Sequence, residues 1–120
     1  MLYAILCYNS EALVGAWTKE QDDAVMAHHH GIEGKLAAQG KLGPVVRLMP
    51  TTTATTLRDG HDTLVFDGPF AETKEQLLGF YVLECENLDD AIAAARPLVV
   101  EGGTMEIRPI LYFNPGNAGK

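Results

Sequence analysis

The sequence has no surplus of positive charge, no long apolar run and almost no cysteine, and each shortage removes a class of function. Lysine and arginine number 9 against 16 aspartates and glutamates, a formal net charge of −7. Without a basic stripe there is nothing to hold a nucleic-acid backbone or an anionic membrane surface, so neither is an expected partner. No apolar stretch approaches the roughly 20 residues that span a bilayer. The apolar start, residues 1–8, lacks the basic leader and the small-residue cleavage pattern of a signal peptide. It predicts a strand in a soluble, cytoplasmic protein. Cys7 and Cys85 lie in apolar patterns without CxxC spacing. They predict buried thiols in a reducing compartment rather than a disulfide or a redox pair. A nucleophile elbow, a P-loop, a Rossmann glycine pattern and an HExxH helix are also missing, which disfavours covalent acyl transfer, nucleotide binding and zinc proteolysis. No cofactor is expected.

What remains is an ordinary globular composition. With 120 residues, 47% of them hydrophobic, the chain can bury a conventional core as one domain. That domain is expected over residues 1–113, with residues 114–120 as a flexible tail. The pattern alternates. Residues 2–8 read as a strand and residues 9–17 as an irregular connection. Thr18 with Gln21 forms a capping-box signature opening a helix that stops near Gln39, before Gly40. Residues 41–48 are extended, and the threonine-rich residues 51–58 suit a strand whose β-branched side chains fit a pleated surface. Asp59-Gly60 signals a hairpin into residues 63–66. After the turn Asp67-Gly68-Pro69-Phe70, Glu72, Lys74 and Glu75 predict the solvated first turn of a short helix. Residues 79–85 (GFYVLEC) form the strongest strand. Asn87 caps a second helix with Asp89 and Asp90 in its first turn, and residues 104–112 supply the last strand.

Strand, helix, strands, strand, helix, strand is the order of an α+β, ferredoxin-like split βαβ arrangement, an antiparallel sheet with two helices on one face. The strands are apolar on both sides. Leu2, Ala4 and Leu6 alternate with Tyr3, Ile5 and Cys7, and Phe80 and Val82 alternate with Tyr81, Leu83 and Cys85. The two helices cover one face only, so a second copy is the simplest cover for the other, and a homodimer packed sheet to sheet is expected.

The run VFDGPFAETKEQLLGFYVLEC, followed by Leu88-Asp89-Asp90-Ala91 and by Met105-Glu106-Ile107-Arg108-Pro109, resembles the DGPF-domain branch of the YCII-related family over nearly the full chain. The resemblance implies a ferredoxin-like fold assembled as a dimeric α+β barrel. It leaves the activity open: many members have no assigned function, some resemble dehydrochlorinating or isomerising enzymes, and DGPF genes often accompany extracytoplasmic-function sigma factors.

The chemical candidates are few. His28, His29 and His30 are consecutive and on a regular helix point about 100° apart, so one metal cannot take all three; no metal site is expected. Val25, His29, Ile32 and Leu36 share a helical stripe, which turns His29 toward the sheet and His30 toward solvent. His29 reads either as a hydrogen-bonded core residue or as a partly buried imidazole acting as general acid or base. The resemblance adds that a histidine on the first helix looks like part of a proposed active site in the wider family. Asp67 either caps its turn or serves the pocket, orienting His29 or accepting a proton. Glu106 and Arg108 share one side of the last strand, opposite Met105, Ile107 and Pro109. Such a charged pair marks an ion pair or a cavity lining, with Glu84 as an alternative partner. Arg108 is the preferred anion-binding residue because a guanidinium can hold a carboxylate bidentately, and Tyr81 joins these two as a candidate substrate-binding residue. Two functions follow. One is a small acid–base enzyme, lyase- or isomerase-like, for a compact anionic or aromatic molecule held between helix and sheet. The other is a non-catalytic ligand-binding or protein-interaction module, such as an accessory to a sigma-factor system.

Overall fold

The computed structural model describes residues 1–62 and 64–119. Its order is β1 (Leu2–Asn9), α1 (Glu11–Gly15), α2 (Lys19–Ala38), β2 (Leu42–Arg47), β3 (Thr55–Arg58), β4 (Leu64–Asp67), β5 (Gln76–Glu84), α3 (Leu88–Ala95) and β6 (Thr104–Pro109), with single 3-10 turns at Thr51–Thr53 and Arg96–Leu98. The main sheet has four antiparallel strands in the order β2-β5-β1-β6. This is the ferredoxin-like arrangement.

Local signals account for the helix ends. The Thr18 side chain accepts from the Gln21 N–H while the Gln21 side chain accepts from the Thr18 N–H, which closes the capping box. At the other end the Lys41 N–H donates to the Leu36 carbonyl at 2.9 Å and the Gly40 N–H to that of Ala37 at 3.0 Å. Gly40 takes φ +72° to allow it, the left-handed stop that a side chain would resist. Asn87 caps α3 by accepting from the Asp90 N–H.

The strand faces divide as the alternation predicts. Tyr3, Ile5, Tyr81 and Leu83 pack with Ile32 and Leu36 of α2 and Ala91 and Ala95 of α3. Ile5 sits between Tyr81 and Ile107 in register, and neither Ile5 nor Leu83 has any exposed surface. Leu2, Ala4, Leu6 and Phe80 face the other way and are half-buried.

Several expectations are corrected. The connection after β1 contains α1, capped by the Ser10 hydroxyl, which accepts from the Leu13 N–H. Residues 51–53 form a turn before β3, held in part because the Glu11 carboxylate accepts from the Thr51 N–H at 2.7 Å. No helix forms at Glu72–Glu75; the Gln76 amide donates to the Thr73 carbonyl instead, and β5 already starts at Gln76. Three charged side chains with no apolar stripe gave that turn nothing to pack. The last strand ends at Pro109. The Ile110 N–H still donates to Leu2, but Leu111 stands free of the core. Thr63, expected to open the second hairpin strand, lies outside the described residues.

β3 and β4 pair only with each other, from Thr55 opposite Asp67 to Arg58 opposite Leu64. This hairpin stands off the main sheet, and the Cα radius of gyration is 16.0 Å, against about 14 Å for a compact chain of this length.

Candidate functional site in the helix–sheet cavity

The 3-10 turn Arg96–Leu98 that follows α3 ends in carbonyls with no intrahelical partner, the usual state of a helix C-terminus. Two neighbouring histidines of α2 meet them. Nε2 of His28 lies 2.9 Å from the Pro97 carbonyl, and Nε2 of His29 lies 3.2 Å from that of Leu98. A carbonyl only accepts, so each imidazole carries a proton on Nε2. In neutral His29 the lone pair therefore rests on Nδ1.

Beside this contact lies a cavity of about 340 Å³, within the range of small-molecule sites. Its walls are apolar, with Trp17 and Val14 on one side, Met26 on α2, Met105 on the sheet and Val99 near the 3-10 turn. The polar groups are few and converge from different elements. His29 and Tyr81 both face the cavity, and their rings meet edge-on with centroids 6.3 Å apart and planes at 85°. Tyr81 comes from the central strand β5, whose alternation turns it to the helices.

Burial sets the protonation of each group. It pulls His29 below 6.5, with the Leu98 carbonyl working in the opposite direction, so the imidazole is neutral near pH 7. Burial also pushes the Tyr81 phenol up to about 12 and the Cys7 thiol, in the same cavity, up to about 11. Both keep their protons. The cavity is thus lined by a neutral base, a phenol donor and a thiol that is a poor nucleophile, together with Glu33, whose charge works to raise the pKa of both His29 and Tyr81.

Among the described residues no buried side-chain nitrogen or oxygen lacks a hydrogen-bond partner. Among the described residues neither the Tyr81 hydroxyl nor Nδ1 of His29 has a hydrogen-bond partner, so both must reach accessible space, and the cavity they line supplies it. At the rim Nη2 of Arg47 lies 2.8 Å from Oδ1 of Asp22, a bridge between β2 and the start of α2. Exposed His30 borders the same opening.

The five residues singled out by sequence divide into two groups. His29 and Tyr81 come together. Asp67 ends β4 on the hairpin, outside the cavity, and its carboxylate accepts no hydrogen bond among the described residues. The turn is held instead by the Gly68 N–H donating to Ala54 and by the Thr56 hydroxyl donating to the Gly68 carbonyl. Glu106 and Arg108 lie opposite Leu6 and Ala4, on the face turned away from the helices. Neither forms an ion pair among the described residues, and Glu84 pairs with the N-terminal amine at 2.8 Å. Sequence reasoning missed Arg47 and Asp22, whose pairing depends on a contact between distant segments.

A ferredoxin-like sheet with an apolar cavity under its first long helix, lined by His29 and Tyr81, defines a small α+β protein. Residues 1–114 match the YCII-related domain, and the chain belongs to that family. It is 52% identical over 120 residues to an uncharacterized protein of Rhizobium meliloti (strain 1021), a match covering 97% of each chain.

Proposed function

We propose that this YCII-related protein binds a compact aromatic or alicyclic molecule in the helix–sheet cavity and performs acid–base chemistry on it, of the lyase or isomerase type, with His29 as the proton acceptor. One observation carries the reading: an imidazole kept neutral by burial, its Nε2 engaged by Leu98 and its Nδ1 open to an apolar cavity. Such a base is matched to proton transfer near neutral pH. Apolar walls favour a ring, and the Arg47 guanidinium at the rim supports a substrate with an anionic substituent. The working form is a cytoplasmic homodimer. Half-buried Leu2, Ala4, Leu6 and Phe80 on the helix-free face support the pairing, and the free thiols of Cys7 and Cys85 support a reducing compartment.

The test is a thermal-shift and calorimetric screen of small aromatic and alicyclic acids and ketones against the wild type and His29→Ala. Stabilisation by ring compounds, with turnover abolished in His29→Ala, is the expected result. A folded protein that binds none of them overturns the reading. A second reading, the interaction module, is favoured by the exposed Leu57, Val65 and Phe70 of the projecting hairpin and its turn.

A further inference from the structure

Resting on that reading, we propose that the substrate is an enolisable carbonyl compound, and that the Tyr81 hydroxyl is the donor that holds its oxygen while His29 Nδ1 removes the adjacent C–H proton.

Three observations converge. Tyr81 is almost wholly buried, yet among the described residues its hydroxyl has no hydrogen-bond partner, and the residue lines the cavity. A buried phenol normally has a partner, so a free one in a cavity is waiting for an acceptor on a ligand. His29, the base, stands beside the same ring, 6.3 Å between centroids. Proton donor and proton acceptor thus face one small space from different elements, β5 and α2, each locked by packing. The surroundings narrow the uses of the pair: the phenol keeps its proton and acts as a donor rather than a phenolate, the Cys7 thiol is protonated, so covalent addition is disfavoured, and Glu33 in the same lining favours the imidazolium that forms when His29 takes a proton.

The electron bookkeeping is complete without any further reagent. His29 Nδ1 takes the proton from the carbon next to the carbonyl. The C–H electron pair forms a new C–C double bond, and the carbonyl π pair moves to oxygen, giving an enolate held by the Tyr81 O–H. The imidazolium then returns its proton to the same carbon, which is exchange, or to the far end of a conjugated double bond, which is isomerisation. Nothing is oxidised or reduced. Charge develops on the carbonyl oxygen only as the proton leaves, so the phenol stabilises the transition state more than the ground state.

The experiment uses cyclohexanone in deuterium oxide, followed by NMR for deuterium uptake beside the carbonyl, and a nitrophenol as a ring oxyanion resembling the enolate, followed by its absorbance. Expected are exchange faster than buffer and background exchange in His29→Gln. Tyr81→Phe keeps the ring packing and is expected to lose about 10²-fold in exchange rate, the scale of one oxyanion donor, and to bind the nitrophenol more weakly. If both probes bind but exchange matches buffer, or Tyr81→Phe exchanges as fast as the wild type, this inference is overturned while the cavity reading stands. If neither these nor the other ring compounds bind the folded protein, both fall together.

Discussion

Arg47 holds Asp22 with two N–H groups, Nη2 to Oδ1 at 2.8 Å and Nη1 to Oδ2 at 3.5 Å, and so joins the last residue of β2 to the first turn of α2 across the cavity rim. The Arg47 hydrogen bond holds the Asp22 carboxyl below its ordinary range. Because the pair is substantially exposed and screened by solvent, it stabilises the fold by no more than about 1 kcal/mol. Arg47→Met, which keeps the stem, is expected to lose up to that amount in urea unfolding at neutral pH and less in high salt. The increment is present above the ordinary carboxylate pKa and disappears as pH falls through the lowered one. A loss of several kcal/mol would mean that the pair does more than close the rim.

His29 gives a pH signature of the same sign in a higher window, stability again being lost as pH falls. Its folded pKa lies below the ordinary 6.5 because burial disfavours the cation. The unfolded chain therefore binds the proton first as pH falls, and stability declines from about 6.5 down to the folded pKa. Thermal unfolding midpoints measured between pH 8 and pH 5 are expected to be level at the alkaline end and to fall below about 6.5. His29→Gln should flatten that part of the curve. An unchanged curve would place the imidazole in contact with water.

At Gly79 β5 leaves no room for a side chain against β2. A Cβ there would collide with the Val46 carbonyl, in the register that sets Gly79 opposite Arg47. Gly79→Ala should cost about 1–3 kcal/mol, the usual scale of overpacking, and displace the strand that carries Arg47. Urea denaturation measures the first effect and ligand affinity the second. A variant as stable as the wild type would show that β2 moves aside freely.

Light scattering at micromolar concentration is expected to return twice the chain mass. Leu6→Lys would put a charge on the helix-free face directly opposite Glu106, a cross-strand pairing the single chain tolerates. The expected product is a folded monomer by circular dichroism and scattering. A wild type already monomeric would remove the need for a second copy.

What could be read from sequence follows the range of the interactions. Thr18, Gln21 and Gly40 act within one or two helical turns, so both ends of α2 were legible. The stripe through His29 was legible for the same reason, and strand alternation set Tyr81 on the face opposite Phe80, though only the packing shows that this face meets the helices. Glu106 and Arg108 were seen to share a face, but only the antiparallel pairing of β6 with β1 decides that this face lies away from the helices. Asp67 sits beside a conspicuous turn, and a turn says nothing about which cavity, if any, its neighbours reach. Glu72–Glu75 misled because charge alone marks exposure without specifying helix.

The projecting hairpin has a topological consequence. β2 and β5 are hydrogen-bonded neighbours, so residues 48–75 leave the sheet and return to the strand beside the one they left. The path could be shortened to a simple connection without altering the order of a single strand. Insertions, deletions or a grafted recognition loop are best accommodated there, since the four-stranded frame and its cavity keep their wiring whatever that excursion contains.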